Sequence, residues 1–355
     1  MKILIIGAGP TGLTAALEFA RQGVMVEIVD AKAGPSQLSR AVGILPNSIK
    51  ILSASGASSD ILDEGVKFNT VKMHYNGKAV FQLDMSHILG QESLPILLPQ
   101  DRTETLMSEA LAKLGVTVEY NQRVVDIHTN NKKATVTFAG GASSEYDWVV
   151  AADGVKSTVR EKLGIEYSGY ELSETWSIAD VELEEEIDAS LFSLWVIDGT
   201  YRDIFVIAPL GPKRVRLVSS TPDSLQALPI ELNIKNVRRE RSFKISIRQA
   251  ESYVQGRVLL AGDAAHTHSP VGGRGMNLGI DDAAEAVKAI LEGKTDAYSN
   301  QRRKIGARVI SETEKMRKTL VSSNPVIILL LRYVFFLIRH ISPLKKLVAQ
   351  KMTRL

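Results

Sequence analysis

The sequence predicts an α/β protein: a parallel sheet with its helices, a second and mostly antiparallel sheet interleaved with it, and a helical C-terminal tail. Three observations predict this. Apolar strand-like runs alternate with helix-like stretches over 1–67 and 96–166, and again from Lys244 to about 300. Between those blocks, over 68–95 and 167–243, lie short runs of β-branched and aromatic residues at 71–75, 79–83, 191–197, 204–208 and 215–219. From Gln301 to Leu355 the chain reads as helix and carries 13 Lys and Arg against 2 acids.

In chain order, Lys2-Ile3-Leu4-Ile5-Ile6 reads as a strand buried on both faces. Gly7-Ala8-Gly9-Pro10-Thr11-Gly12 follows at once, then a helix over 13–22 that Gly23 closes. Residues 24–29 read as the next strand and Asp30 ends it, 18 residues after Gly12, with Ala31 beside it. Strand, glycine turn, helix, strand and acid in this order form the dinucleotide-binding fingerprint in full context. The glycines admit a pyrophosphate and a close helix crossing, the helix N-terminus favours phosphate, and Asp30 accepts ribose hydroxyls. Further on, Asn76-Gly77 is a hairpin turn signal and Gly211-Pro212 marks another turn. Then Val258-Leu259-Leu260-Ala261 runs into Gly262-Asp263, leaving a carboxylate at the C-terminal edge of a strand, where α/β sheets bind ligands. Gly272, Gly273, Gly275 and Gly279 precede or open a helix read over 281–291, whose positive end faces back toward that edge.

The tail holds Val326-Ile327-Ile328-Leu329-Leu330-Leu331 and Tyr333-Val334-Phe335-Phe336-Leu337-Ile338 around Arg332. A helix over these positions is about 20 Å long against roughly 30 Å of hydrocarbon, too short to span. A helix covering a pocket or a dimer contact is expected. The other reading is a helix in a membrane interface, with Arg332, Arg339, Lys345 and Lys346 toward lipid phosphates.

Composition sets limits. Net charge is +3, with +11 on the tail and −8 on the remainder. Docking of the tail on the acidic body is the first reading; no nucleic-acid motif accompanies the basic residues. There is no cysteine, which excludes disulfides, thiolate metal sites and cysteine redox relays. His266 and His268 are two apart without a third ligand, so no metal is expected. The first strand begins at the second residue, which points to a cytoplasmic protein without a signal peptide.

Taken together, the motifs resemble those of the FAD-dependent aromatic hydroxylases, the group A flavoprotein monooxygenases with the para-hydroxybenzoate hydroxylase fold. The segment from Gly262-Asp263 to Met276-Asn277 resembles the family's second FAD motif. Leu98-Pro99-Gln100 resembles the segment whose Gln touches the flavin, and Ser39-Arg40-Ala41-Val42-Gly43 the loop whose Arg lies near flavin and pyrophosphate. Val149-Val150-Ala151-Ala152-Asp153-Gly154 resembles the Asp-Gly motif, and Val124 is counted with the cofactor-binding positions. The resemblance implies a Rossmann-like FAD domain with an interleaved substrate domain. It implies FAD as cofactor, NADH or NADPH as a transient reductant, and transfer of one oxygen atom from O2 through a flavin C4a-hydroperoxide. Met276 and Asn277 backbone N–H groups would stabilise the reduced flavin anion, and Pro270 would wall the oxygen-reacting side. Trp195, Tyr201, Phe205, Arg214 and Arg216, on or beside the second sheet, are substrate candidates. An apolar aromatic, polyketide-like or isoprenoid substrate is expected, on a monomer or homodimer. A reductase of isoprenoid double bonds and a non-enzymatic flavoprotein that sequesters a hydrophobic ligand are the alternatives.

Overall fold

The computed structural model describes residues 1–36, 41–198 and 202–353. Two sheets organise the chain. The first has six strands, in the spatial order Val254–Gln255, Val258–Leu260, Trp148–Ala151, Ile3–Ile6, Val26–Val29 and Val118–Glu119. All neighbours are parallel except the Val254–Gln255 edge. Ile3, Leu4, Ile5, Val149, Val150, Val258 and Leu259 have no exposed surface, as expected of a parallel sheet covered on both faces. The glycine turn, the 152–154 turn and the 261–263 turn therefore leave the same carboxyl edge.

The helix after the first strand runs Pro10–Ala20. It starts three residues before the expected 13, because Pro at the first helical position costs no hydrogen bond. The late helix runs Gly275–Glu292, six residues earlier than expected. Gly279 does not break it. A Cβ there would stand 2.3 Å from Thr11 Oγ1, and one at Gly262 2.5 Å from the same atom. The glycines are thus where the two helices and the 261–263 turn cross closely.

The second sheet has eight strands, ordered His266–Thr267, Ile234–Ala250, Tyr167–Leu183, Arg214–Ser219, Arg202–Gly211, Leu191–Asp198, Thr70–Tyr75 and Lys78–Asp84. Every pairing is antiparallel except Leu191–Asp198 with Thr70–Tyr75. Asn76 and Gly77 both take positive φ, 46° and 75°, the two-residue turn that the sequence signalled. Two 17-residue strands were not anticipated. Ile234–Ala250 is rich in charge because much of it is exposed, and it runs through Lys244, where the sequence suggested a return to the first sheet. That sheet is re-entered at Val254.

The tail forms three helices, Thr295–Leu320, Pro325–His340 and Ser342–Thr353. Ile338 and Ala349 are buried with Phe81, Leu83 and Met85 in the core of the second sheet. No single helix among the described residues is long and apolar enough to cross a membrane.

Candidate active site

The glycine turn separates glycines that the fold needs from one that it does not. Gly7 has φ +101°, and a Cβ there would lie 2.4 Å from the Ala152 carbonyl oxygen. A Cβ on Gly12 would lie 1.8 Å from the Gly7 oxygen. Gly9 has extended backbone, φ −80° and ψ −179°, open to any residue, and a Cβ there would meet nothing within 4 Å. Neither conformation nor packing requires glycine at position 9; a ligand lying against the backbone at the start of the Pro10–Ala20 helix would.

Asp30 is buried at the end of its strand. Its carboxylate accepts the Ala8 N–H at 2.8 Å and the Lys32 N–H at 2.8 Å, so the acid also fastens the glycine turn to the second strand. Ala31 beside it is exposed. Pro10 is buried, and Thr11 fills the crossing between Gly262 and Gly279. The Val124 side chain is buried in the core cluster shared with the first sheet, so a contact with a cofactor there would come from its backbone.

Asp153 accepts the Val159 N–H at 3.1 Å, while its Oδ1 is buried without a partner among the described residues. Burial pushes its carboxyl above the usual carboxylate range. Gly154, φ +82°, has open space at its Cβ position. Arg160 bonds the Ala264 and Val155 carbonyls and lies 3.7 Å over the Tyr167 ring, tying the Asp-Gly turn to the 262–264 turn. Asp263 is exposed at the sheet edge rather than buried, because its turn lifts it off the Val258–Leu260 strand.

The loop leading to the late helix is a turn closed by Gly273 N–H to the Pro270 carbonyl, with Gly272 and Gly273 at φ +94° and +62°. A Cβ at Gly273 would meet nothing within 4 Å, and one at Gly275 only His268 at 3.8 Å. Leu278 donates to the Arg274 carbonyl, so the N–H groups of Gly275, Met276 and Asn277 stand at the helix end. The Asn277 side chain is committed to the fold. Its oxygen accepts from Leu45 N–H and Ser48 Oγ, and its nitrogen donates to the Gly43 and Gly273 carbonyls. It thereby fixes the 43–48 segment beside the glycine loop. Gln100 reaches the same segment: its N–H donates to the Ala41 carbonyl, its Oε1 accepts the Ala41 N–H, and its Nε2 bonds Glu104.

Asp282 was not singled out from the sequence. Asp282, fully buried, accepts His266 Nε2 at 2.5 Å, Arg302 Nε at 2.6 Å and Gly262 N–H at 3.1 Å. The flanking His266 and Arg302 charges hold its carboxyl below the usual range despite burial. His266 is therefore a clamp on the Gly262 turn. Arg216, with no exposed surface, pairs bidentately with Asp180 at 2.7 and 2.8 Å and donates to the Ala41 carbonyl at 2.9 Å. It joins the second sheet to the loop beside Gln100. The sequence named Arg216 only as a substrate candidate, whereas its guanidinium is committed to Asp180 and the Ala41 carbonyl.

Two substrate candidates need correction. Trp195 and Phe205 pack with Val181, Val215 and Leu217, ring centroids 6.4 Å apart, in the core on one face of the second sheet. Their neighbours Val196, Ile204 and Val206 point the other way, into the cluster that holds Val42 and Val271 of the two loops. The strand alternation puts the predicted pair on the face turned away from those loops. Arg214 is half-buried near Arg238 and Glu182. Arg40 and Tyr201 lie outside the described residues. Among the described residues no group of acids and histidines could hold a metal.

This geometry agrees with comparison to known proteins. The model of the FAD binding domain family matches residues 1–224 and 216–313. The chain belongs to that family. It is 29% identical to 6-methylpretetramide 4-monooxygenase of Streptomyces rimosus over 99% of this chain and 68% of that protein. It is also 29% identical to para-nitrophenol 4-monooxygenase of Pseudomonas sp. strain WBC-3, over 88% of this chain and 85% of that one. The crystal structure of p-nitrophenol 4-monooxygenase from Pseudomonas putida DLL-E4 superposes with TM-score 0.85 at 24% identity, covering 99% and 98% of the two chains. These proteins are named as monooxygenases, and this chain, with its FAD-binding domain, is an oxidoreductase of that kind.

Proposed function

We propose that the chain is an NAD(P)H-dependent FAD monooxygenase that inserts one oxygen atom of O2 into an apolar aromatic or polyketide-like substrate. The observation that carries the reading is Gly9, a glycine demanded by neither fold nor backbone at the fingerprint turn. FAD fits the remaining residues. Gly9 and the Pro10–Ala20 helix end would hold the pyrophosphate, Asp30 a ribose, Asp153 with its unpaired oxygen and Asp263 further polar groups of the cofactor. When bound, FAD supplies hydride acceptance from the nicotinamide and the activation of O2.

The chain's own residues bind, orient and exclude water. The Met276 and Asn277 N–H groups, at the positive end of an 18-residue helix, would stabilise negative charge on the ring edge they face. Pro270 presents no N–H and would wall one side of the ring. Val42, Val206 and Val271 share one apolar cluster, which suits an apolar substrate and a site kept dry. Relatives named for tetracycline intermediates and nitrophenol favour such a substrate over an isoprenoid double bond. The same reading takes NADH or NADPH as a transient reductant, with a small molecule and O2 as partners in the cytoplasm.

The test is NAD(P)H oxidation by the purified yellow protein across phenols, quinones and polyketides, with products weighed by mass spectrometry. Substrate-stimulated oxidation with an oxygenated product is expected. Saturated products without oxygen would favour a reductase, and FAD binding without NAD(P)H oxidation a sequestering flavoprotein.

A further inference from the structure

The Pro325–His340 helix is apolar on two opposite sides, yet only one of them is packed. Ile327, Ile328, Leu331, Phe335 and Ile338 turn inward, with Phe335 5.5 Å from the Phe81 ring. On the opposite side Val326, Leu329, Leu330, Tyr333 and Phe336 are 71%, 69%, 59%, 59% and 56% exposed. Their spacing places them on one stripe. Ile341, between this helix and the next, and Leu347 on the next are exposed as well, at 38% and 50%. An exposed apolar stripe of this kind marks an interaction surface.

Charge selects the partner. Residues 321–355 contain six Lys and Arg and no Asp or Glu. Arg332 and Arg339 are seven apart and so flank the stripe on one side, and Lys345 and Lys346 follow it. Pairing the stripe with a second copy of itself would bring like charges together with no acid to answer them. A negatively charged bilayer surface answers them and also takes the apolar stripe. The inward face is held by the protein core, so the helix can lie in the interface but not cross it. Arg332 also stacks 5.2 Å over Tyr75, which anchors the helix to the second sheet.

We propose that this stripe docks the enzyme peripherally on anionic membranes. The test is co-sedimentation of the FAD-loaded full chain with vesicles of phosphatidylcholine and phosphatidylserine, against vesicles of phosphatidylcholine alone. Binding at least about tenfold stronger to the anionic vesicles, weakened by raised salt, is expected. Leu329→Gln with Phe336→Gln should reduce it about tenfold or more, while flavin content and melting temperature stay unchanged because both side chains are exposed. Arg339→Gln with Lys345→Gln and Lys346→Gln should remove the preference for anionic lipid. Absence of vesicle binding would overturn the proposal, whether the chain proves a monomer or a dimer that the two glutamines dissociate.

Discussion

At the scale of single residues, the fingerprint separates binding from folding. Gly9→Ala should cost well under about 1 kcal/mol of stability, a small loss at a helix N-cap, yet weaken FAD binding at least about tenfold. Gly12→Ala should fail to fold, since its Cβ would lie 1.8 Å from the Gly7 oxygen. Flavin fluorescence titration and thermal melts on the two variants distinguish these outcomes; equal FAD affinity in Gly9→Ala would remove the ligand argument. His268 gives a pH dependence. It keeps some exposed surface, but its Nε2 is enclosed, its Nδ1 bonds the Ser269 carbonyl at 2.8 Å, and burial pushes its pKa from 6.5 down to about 4. The unfolded chain therefore binds more protons between these values, and stability falls as pH drops through that window. The loss from pH 7 to 5 should be about 1–2 kcal/mol, and His268→Gln should flatten that part of a urea-unfolding profile. The backbone-defined positions were legible in the sequence because glycine and the strand-ending acids have few other uses in that order. Trp195 and Phe205 were not, because an aromatic in a strand that is apolar on both faces does not reveal which face it takes.

At the scale of elements, the late helix is fastened by a buried charge cluster that the sequence does not advertise. Arg302 stands in a basic run that reads as solvated tail, yet its guanidinium is buried on Asp281 and Asp282. Asp282→Asn would leave Arg302 short of its partner and loosen the Gly262 turn through His266. A cost of about 3–5 kcal/mol is expected, read as a large drop in melting temperature together with weakened flavin retention. A stable variant with full flavin would show that the clamp is dispensable. The tail helices were partly legible. Their apolar stretch and its inability to span a bilayer follow from length, but the division into a packed and an open face depends on the Phe81 side of the second sheet. Removing 324–355 uncovers Phe81, Leu83 and Met85 beside the loops. It should raise peroxide release per NAD(P)H oxidised more than it lowers FAD binding, measured with catalase and flavin titration. Full coupling after truncation would exclude a water-excluding role for the tail.

At the scale of the whole molecule, the two sheets meet through residues that belong to neither motif. Arg216 on the second sheet holds Asp180 and the Ala41 carbonyl, and Arg239 adds a 2.7 Å bond to Asp101 on the Gln100–Lys113 helix. Sequence patterns gave the alternating βαβ blocks and the interleaving, since periodicity is local. Long charged strands such as Ile234–Ala250 escaped because their partners lie 50 or more residues away in sequence, on Asp180, Asp101 and Glu182. Under the proposed function, what joins the halves would also align a substrate on one with a cofactor on the other. The most direct measurement is incorporation of isotopically labelled dioxygen by the purified, FAD-loaded protein with NAD(P)H and a phenolic or polyketide substrate. One labelled oxygen atom per product, with NAD(P)H oxidised only as substrate is added, is the expected result. Product carrying oxygen from water instead, or reduced product with no label, would contradict the monooxygenase account.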